Sequence, residues 1–241
     1  MIEIINEHKQ NRYEEFTILF CIKFLGVCIT KLYINMSRYR GAKLRVVRRL
    51  GELPGLTNKI PKSSFLPGVH GPSKAEKKTS ISEYAIRLQE KQKLRFNYGV
   101  SEKQLLNYVK KAKRLPGATG TLIIQQLEMR LDNIVFQLGF ANTISAARQI
   151  VSHGHIRVNG RKLNIPSFQC KPNDVISITD KKSSRNLITK NIESTNIHSR
   201  LKSHLDFTEQ TNEGKILNIV DTKEIDLKIN ELYIVEFYSK K

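Results

Sequence analysis

The sequence predicts an α+β fold: a basic N-terminal arm and a helical subdomain, followed by a small module of two helices and an antiparallel sheet. Three observations lead there. Capping-box spacing at Ser80 and Glu83, and again at Ser101 and Gln104, opens stretches free of Gly and Pro. The run His155-Ile156-Arg157-Val158 alternates polar and apolar residues and turns at Asn159-Gly160, the strongest short hairpin signal. Finally, 241 residues with 39% hydrophobic content supply small but real cores for one to two domains.

Charge sets the partner class. Lys and Arg number 41 against 22 Asp and Glu, a net charge of +19, well beyond what solubility needs. The partner is expected to be a polyanion. Cys21, Cys28 and Cys170 are odd in number and scattered, unlike a secreted disulfide framework. The absence of Trp and only 7% aromatics disfavour an indole-anchored interface.

Residues 1–35 form an atypical apolar leader in which Lys9, Arg12, Lys23 and Lys31 balance Glu3, Glu7, Glu14 and Glu15. Phe16 to Ile34 invites a membrane reading. Lys23 near its middle opposes insertion by about 2.5–3.5 kcal/mol, and Glu14 and Glu15 are wrong for a secretory signal. Composition changes abruptly at Met36, which reads as a natural translation start with residues 1–35 as an upstream extension.

Residues 36 to about 79 read as an arm ordered by its partner. Arg38, Arg40, Lys43, Arg45, Arg48 and Arg49 occur without an acid among them, and Pro54, Pro61, Pro67 and Pro72 then favour turns and extended chain. A helix follows from Ser80 to about Phe96, with Arg87, Lys91 and Arg95 on one stripe and Tyr84 and Leu88 on another. Lys93 adds to its charge. The next helix, capped by Ser101, places Leu105, Val109 and Ala112 inward and crowds Lys110, Lys111, Lys113 and Arg114 at its end. A third begins near Thr121 with Ile123, Leu127, Leu131 and Leu138 as core; its start is either a phosphate site or a plain turn with a threonine cap.

The compact module opens at Met129. A short helix breaks at Gly139, and a second carries Ile144, Arg148 and Val151 to a stop at His153-Gly154. The hairpin and a strand at Val175 to Ile178 follow. Residues 191–213 read as a loop-like insertion, part of a Ser-, Asn-, Thr- and Lys-rich tail from Lys181. Residues 214–241 read as strands, with Tyr233, Val235 and Phe237 on one face.

This order of elements, with Arg148, His153, His155, Arg157, Arg161 and Lys162 around one helix end and one hairpin, resembles the small RNA-binding module of ribosomal small-subunit protein four. Ser37-Arg38-Tyr39-Arg40-Gly41, Gly68-Val69-His70-Gly71, Glu90-Lys91-Gln92-Lys93, Tyr98-Gly99-Val100, Arg130-Leu131-Asp132-Asn133, Val151-Ser152-His153-Gly154 and the ending from Ile229 to Ser239 extend the likeness to that whole family. The resemblance covers residues 36–180 and 214–241. It implies domains at 36–128 and 129–190, a structural constituent of the small ribosomal subunit, and a primary binder of small-subunit (16S-type) rRNA. It further implies nucleation of the subunit body, a contribution to accuracy, and contact with ribosomal protein families five and twelve.

The RNA contacts expected are the Lys and Arg residues named above between Arg38 and Lys162, with Arg130, His153, His155 and the neutral Gln149. No cofactor and no metal is expected: relatives with an N-terminal zinc knuckle use cysteines that residues 36–169 lack. Ile- and Lys-rich, Ala-poor usage resembles a plastid version, placed in the stroma, with a bacterial cytoplasm as the alternative. The rival is a pseudouridine synthase carrying the same module, because Arg130-Leu131-Asp132 resembles that family's catalytic tripeptide. Too little chain follows the module for its catalytic domain, so no enzyme is expected.

Overall fold

A computed structural model of the chain describes residues 39–72, 82–194, 201–208, 211–221, 224–225 and 227–239. The leader, Arg38, Ser80 and both Cys21 and Cys28 lie outside these. Gly41 to Lys241 belong to one compact unit, and Tyr39 and Arg40 fall outside it.

The arm is more ordered than its charge suggests. Lys43–Leu50 forms helix α1, whose Val46 and Val47 are buried together with Leu53 and Leu56 just beyond it. Apolar residues at helical spacing decide this, and carbonyl groups absorb two of the charges. Lys43 Nζ donates to Leu56 O at 3.2 Å, and Arg48 donates to Phe65 O at 2.8 Å and Leu66 O at 3.2 Å.

Four helices then build the subdomain: α2 (Glu83–Asn97), α3 (Glu102–Ala112), α4 (Thr119–Glu128) and α5 (Leu131–Gln137). Ser82 caps α2, its hydroxyl accepting from Ala85 N at 3.3 Å. The reciprocal capping box expected at Ser101 and Gln104 is present, and Leu105, Val109 and Ala112 are buried. Helix α4 starts before the expected position and has no side-chain cap. Thr121 is already in its first turn, and its hydroxyl donates instead to Glu231 Oε2 at 3.0 Å.

Helix α5 ends at Gly139, helix α6 (Ile144–Ser152) follows, and strands β1 (Ile156–Val158) and β2 (Arg161–Lys162) close the hairpin. Asn159 and Gly160 both take positive φ, +50° and +77°, as the two-residue turn requires. Strand β3 (Val175–Ile178) pairs antiparallel with β1, Ile156 opposite Ile178.

Two expectations fail beyond β3. The tail contains helix α7 (Lys182–Glu193), with Ser184 and Ile188 buried, and a hairpin of β4 (Leu205–Thr208) and β5 (Glu213–Ile216). Pairing of β5 with β3 extends the sheet to five antiparallel strands ordered β2-β1-β3-β5-β4. The last segment is helix α8 (Glu231–Ser239), not strand. Its buried residues are Ile234, Phe237 and Tyr238, a spacing of three and four that fits one helical face packed along α2. The alternating Tyr233, Val235 and Phe237 misled because β propensity yields to tertiary packing.

The core runs continuously from α2 through α6 into the sheet, with Leu94, Leu105, Ile123, Leu127, Leu131, Ile134, Phe140, Ile156 and Ile176 fully enclosed. Each such side chain contributes about 1.5–3 kcal/mol of burial. That core fixes which cations face outward.

Candidate nucleic-acid interface

The candidate contacts divide into cations tied inside the protein and cations presented to solvent. The stripe on α2 is tied. Lys91 is buried, its ammonium 3.0 Å from Glu102 Oε2 and 4.6 Å from the centre of the Phe237 ring. Arg87 donates Nε to Glu236 Oε2 at 2.6 Å and Nη2 to Glu83 Oε2 at 2.9 Å. Lys93 pairs with Glu90 at 2.6 Å, and Arg95 reaches Gln92 and lies beside Phe96. A stripe expected to face RNA therefore faces α8 and α3. Burial opposes ionisation of Glu102, but hydrogen bonds from Lys91 and Tyr238 outweigh it and hold the carboxyl below its ordinary range.

Arg130 and Arg148 converge on one carboxylate. Arg130 forms a two-pronged pair with Asp132 and donates to the Tyr108 hydroxyl at 2.6 Å. Arg148 reaches Asp132 Oδ2 at 2.8 Å and donates to Gly99 O and Tyr98 O at 2.8 and 3.0 Å. Together they lock α6 to the α2–α3 turn. Neither has a free donor face comparable to a surface Arg.

The presented set is different in kind. Arg45 and Arg49 of α1, then Lys110, Lys111, Lys113 and Arg114 at the end of α3, are exposed without an ion pair among the described residues. Arg40 is also exposed. On the module, Gln149, His153, Arg161 and Lys162 are exposed. Arg157 is half-buried and held by Asp180 at 2.5 Å, which Arg185 also approaches at 2.9 Å. His155 is half-buried, with Nδ1 2.8 Å from Ser184 Oγ.

Lys103, Lys181 and Lys182 join the exposed cations although no motif marked them. The adjacent pair after β3 is the signal that was available. No described helix is long and apolar enough to cross a membrane. Among the described residues, no group of three or more His, Cys, Asp or Glu is placed to hold a metal. Cys170 is buried, and that burial pushes its thiol up to about 12, so it is inert at neutral pH.

Comparison with known proteins gives the family. A family described as "Ribosomal protein S4/S9 N-terminal domain" matches residues 38–128, and one described as "S4 domain" matches residues 129–176. The small ribosomal subunit protein uS4 of Thermosynechococcus vestitus is 55% identical over 206 residues, 86% of this chain and 100% of the relative. The chain belongs to the uS4 family. The uS4c protein of Emiliania huxleyi is 54% identical over the same shares, and the uS4 protein of a Synechocystis strain is 53% identical.

For a uS4-family chain the tripeptide Arg130-Leu131-Asp132 has a structural reading. Asp132 has a side chain only 1% exposed, enclosed by two guanidinium groups. A carboxylate so enclosed cannot reach a nucleobase. The modifying-enzyme alternative is not favoured, and the relatives named above carry ribosomal, not enzymatic, names.

Proposed function

We propose that the chain is a structural constituent of the small ribosomal subunit that binds 16S-type rRNA through its exposed cations, nucleates assembly of the subunit body and contributes to translational accuracy. One observation carries the reading. Acids neutralise the cations of the core, while Arg45 and Arg49 of α1, the cations at the end of α3, and Arg161 and Lys162 of β2 stand exposed on the surface. Unpaired surface cations on a rigid scaffold grip phosphates, and A-form RNA is recognised mainly by shape, phosphate and 2′-OH because its deep groove is too narrow to enter.

The proposed setting is a plastid ribosome in the stroma, with a bacterial cytoplasm as the alternative. The uS4c relative and the cyanobacterial relatives support it, as does the Ile- and Lys-rich composition. The proposed neighbours are members of ribosomal protein families five and twelve. Binding to a small-subunit rRNA transcript tests the central claim. With about 6–10 phosphates contacted, affinity falls by about 10³ to 10⁵ between roughly 50 and 200 mM salt on the duplex DNA scale. A flat salt response, or no binding at low salt, overturns it.

A further inference from the structure

We propose that His153, His155, Lys162 and Lys181 form a single niche for one backbone phosphate, and that filling it draws a proton from solvent onto His155. This rests on the RNA-binding reading above and deepens it by naming a site and its linkage to pH.

The register builds the niche. Arg157 of β1 lies opposite Lys162 of β2, so their side chains share one face of the sheet, and His155, two residues before Arg157, shares it too. Ile156 and Val158 point the other way, into the core. Lys162 then folds back over Gly154. A Cβ at that glycine would stand 2.1 Å from Lys162 Cε, and its φ of +72° disfavours a side chain as well. The lysine stem therefore occupies a place that only glycine leaves open.

One contact holds the His155 ring and two more hold the backbone beside it. Its Nδ1 lies 2.8 Å from Ser184 Oγ, its backbone oxygen accepts from Thr179 N at 2.9 Å, and Thr179 Oγ1 donates to Gly154 O at 3.1 Å. With Nδ1 engaged, Nε2 is the nitrogen left for a ligand. The exposed His153 ring stands 6.0 Å away, centre to centre.

The charges around His155 share a sign. His153 comes from the end of α6, Lys162 from β2 and Lys181 from the turn before α7, while α7 itself presents the neutral Ser184. The adjacent acid, Asp180, is bound by Arg157 and Arg185 and has little charge to spare. Burial first, and then His153, Lys181 and Lys162, hold the imidazole below its ordinary value. A phosphate entering the niche reverses the last three effects. An anion in the niche makes protonation more favourable, so binding takes up protons and tightens as pH falls.

The test is the affinity of the full chain for a small-subunit rRNA transcript at fixed ionic strength from about pH 8 to about pH 6, the range in which imidazole changes charge. The expected result is a tightening of about tenfold for each unit by which binding raises a histidine. Calorimetry in buffers of different ionisation enthalpy reads the proton uptake directly. His153→Asn and His155→Asn each reduce the uptake while the chain still binds. If His155→Asn fails to fold, the exposed His153→Asn variant decides alone. A pH-independent affinity in the natural chain, or an unchanged slope in the variants, overturns the niche but leaves RNA binding intact. Failure to bind at any pH removes the RNA-binding reading itself.

Discussion

Arg130 donates Nε to Oδ1 and Nη2 to Oδ2 of Asp132, at 3.0 and 2.7 Å, and the two side chains are only 3% and 1% exposed. Arg148 joins the same carboxylate from α6. Removing Asp132 leaves two guanidinium groups facing a low-dielectric interior without their anion. Breaking such a buried pair costs about 3–5 kcal/mol. Asp132→Ala is therefore expected to lower the denaturant midpoint sharply. An unfolding free energy within about 0.5 kcal/mol of the natural chain, the ordinary range for surface changes, contradicts the enclosed geometry.

Lys91 offers a contrast between internal and RNA-facing cations. It bridges Glu102 and the Phe237 ring, joining α2 to α3 and α8. Lys91→Met keeps the aliphatic stem and removes the charge, leaving Glu102 with the Tyr238 hydroxyl at 2.9 Å. The variant should melt at lower temperature, yet show the same salt slope for rRNA as the natural chain. A slope reduced by about one, the signature of a lost phosphate contact, places Lys91 at the interface after all.

The difference between tied and presented cations marks the limit of sequence reading in this chain. Ser101 with Gln104, and Asn159 with Gly160, were legible because the groups involved lie within three residues of each other. Arg87 meets Glu236 across 149 residues, and Arg148 meets Asp132 across 16. No local spacing encodes those partners, so every Lys and Arg looked alike. The same holds for α8, whose alternating β-prone residues become a helix only because α2 offers a groove for Ile234, Phe237 and Tyr238. In the tail, Ile188 and the β4–β5 hairpin gain their burial from the sheet and core.

Arg148 and Arg161 are both expected RNA contacts, and the structure gives them different surroundings. Arg161 and Lys162 are exposed on β2, whereas Arg148 braces the α2–α3 turn. Arg161→Ala with Lys162→Ala should leave the thermal midpoint unchanged and lower the salt slope by about two, one per phosphate contact. Lys190→Ala, on the last turn of α7, serves as the control and should change the slope less. Equal losses from the hairpin pair and from Lys190 would argue for diffuse attraction over a defined contact surface.

Glu128 gives a prediction with a definite sign. Its carboxyl is fully enclosed, and the hydroxyl of Tyr98 and the amides of Asn133 and Gln137 donate to it. Burial, the largest influence, raises its pKa, and the three hydrogen bonds only partly offset this. The folded chain therefore holds a proton on Glu128 at pH values where the unfolded chain, near the ordinary 4.5, has released it. Stability from this group is complete below the unfolded value and declines as pH rises toward the folded one. Glu102, held low by Lys91 and Tyr238, acts in the opposite sense, its contribution vanishing as pH falls. The two effects separate in a comparison of the natural chain with Glu128→Gln, which keeps Glu102. Urea midpoints measured from pH 4 upward should show the natural chain losing stability relative to the variant as pH rises. Parallel curves would mean that Glu128 binds its proton equally in the folded and unfolded chain, and a natural chain that gained on the variant would mean that the three donors hold it ionised despite its burial.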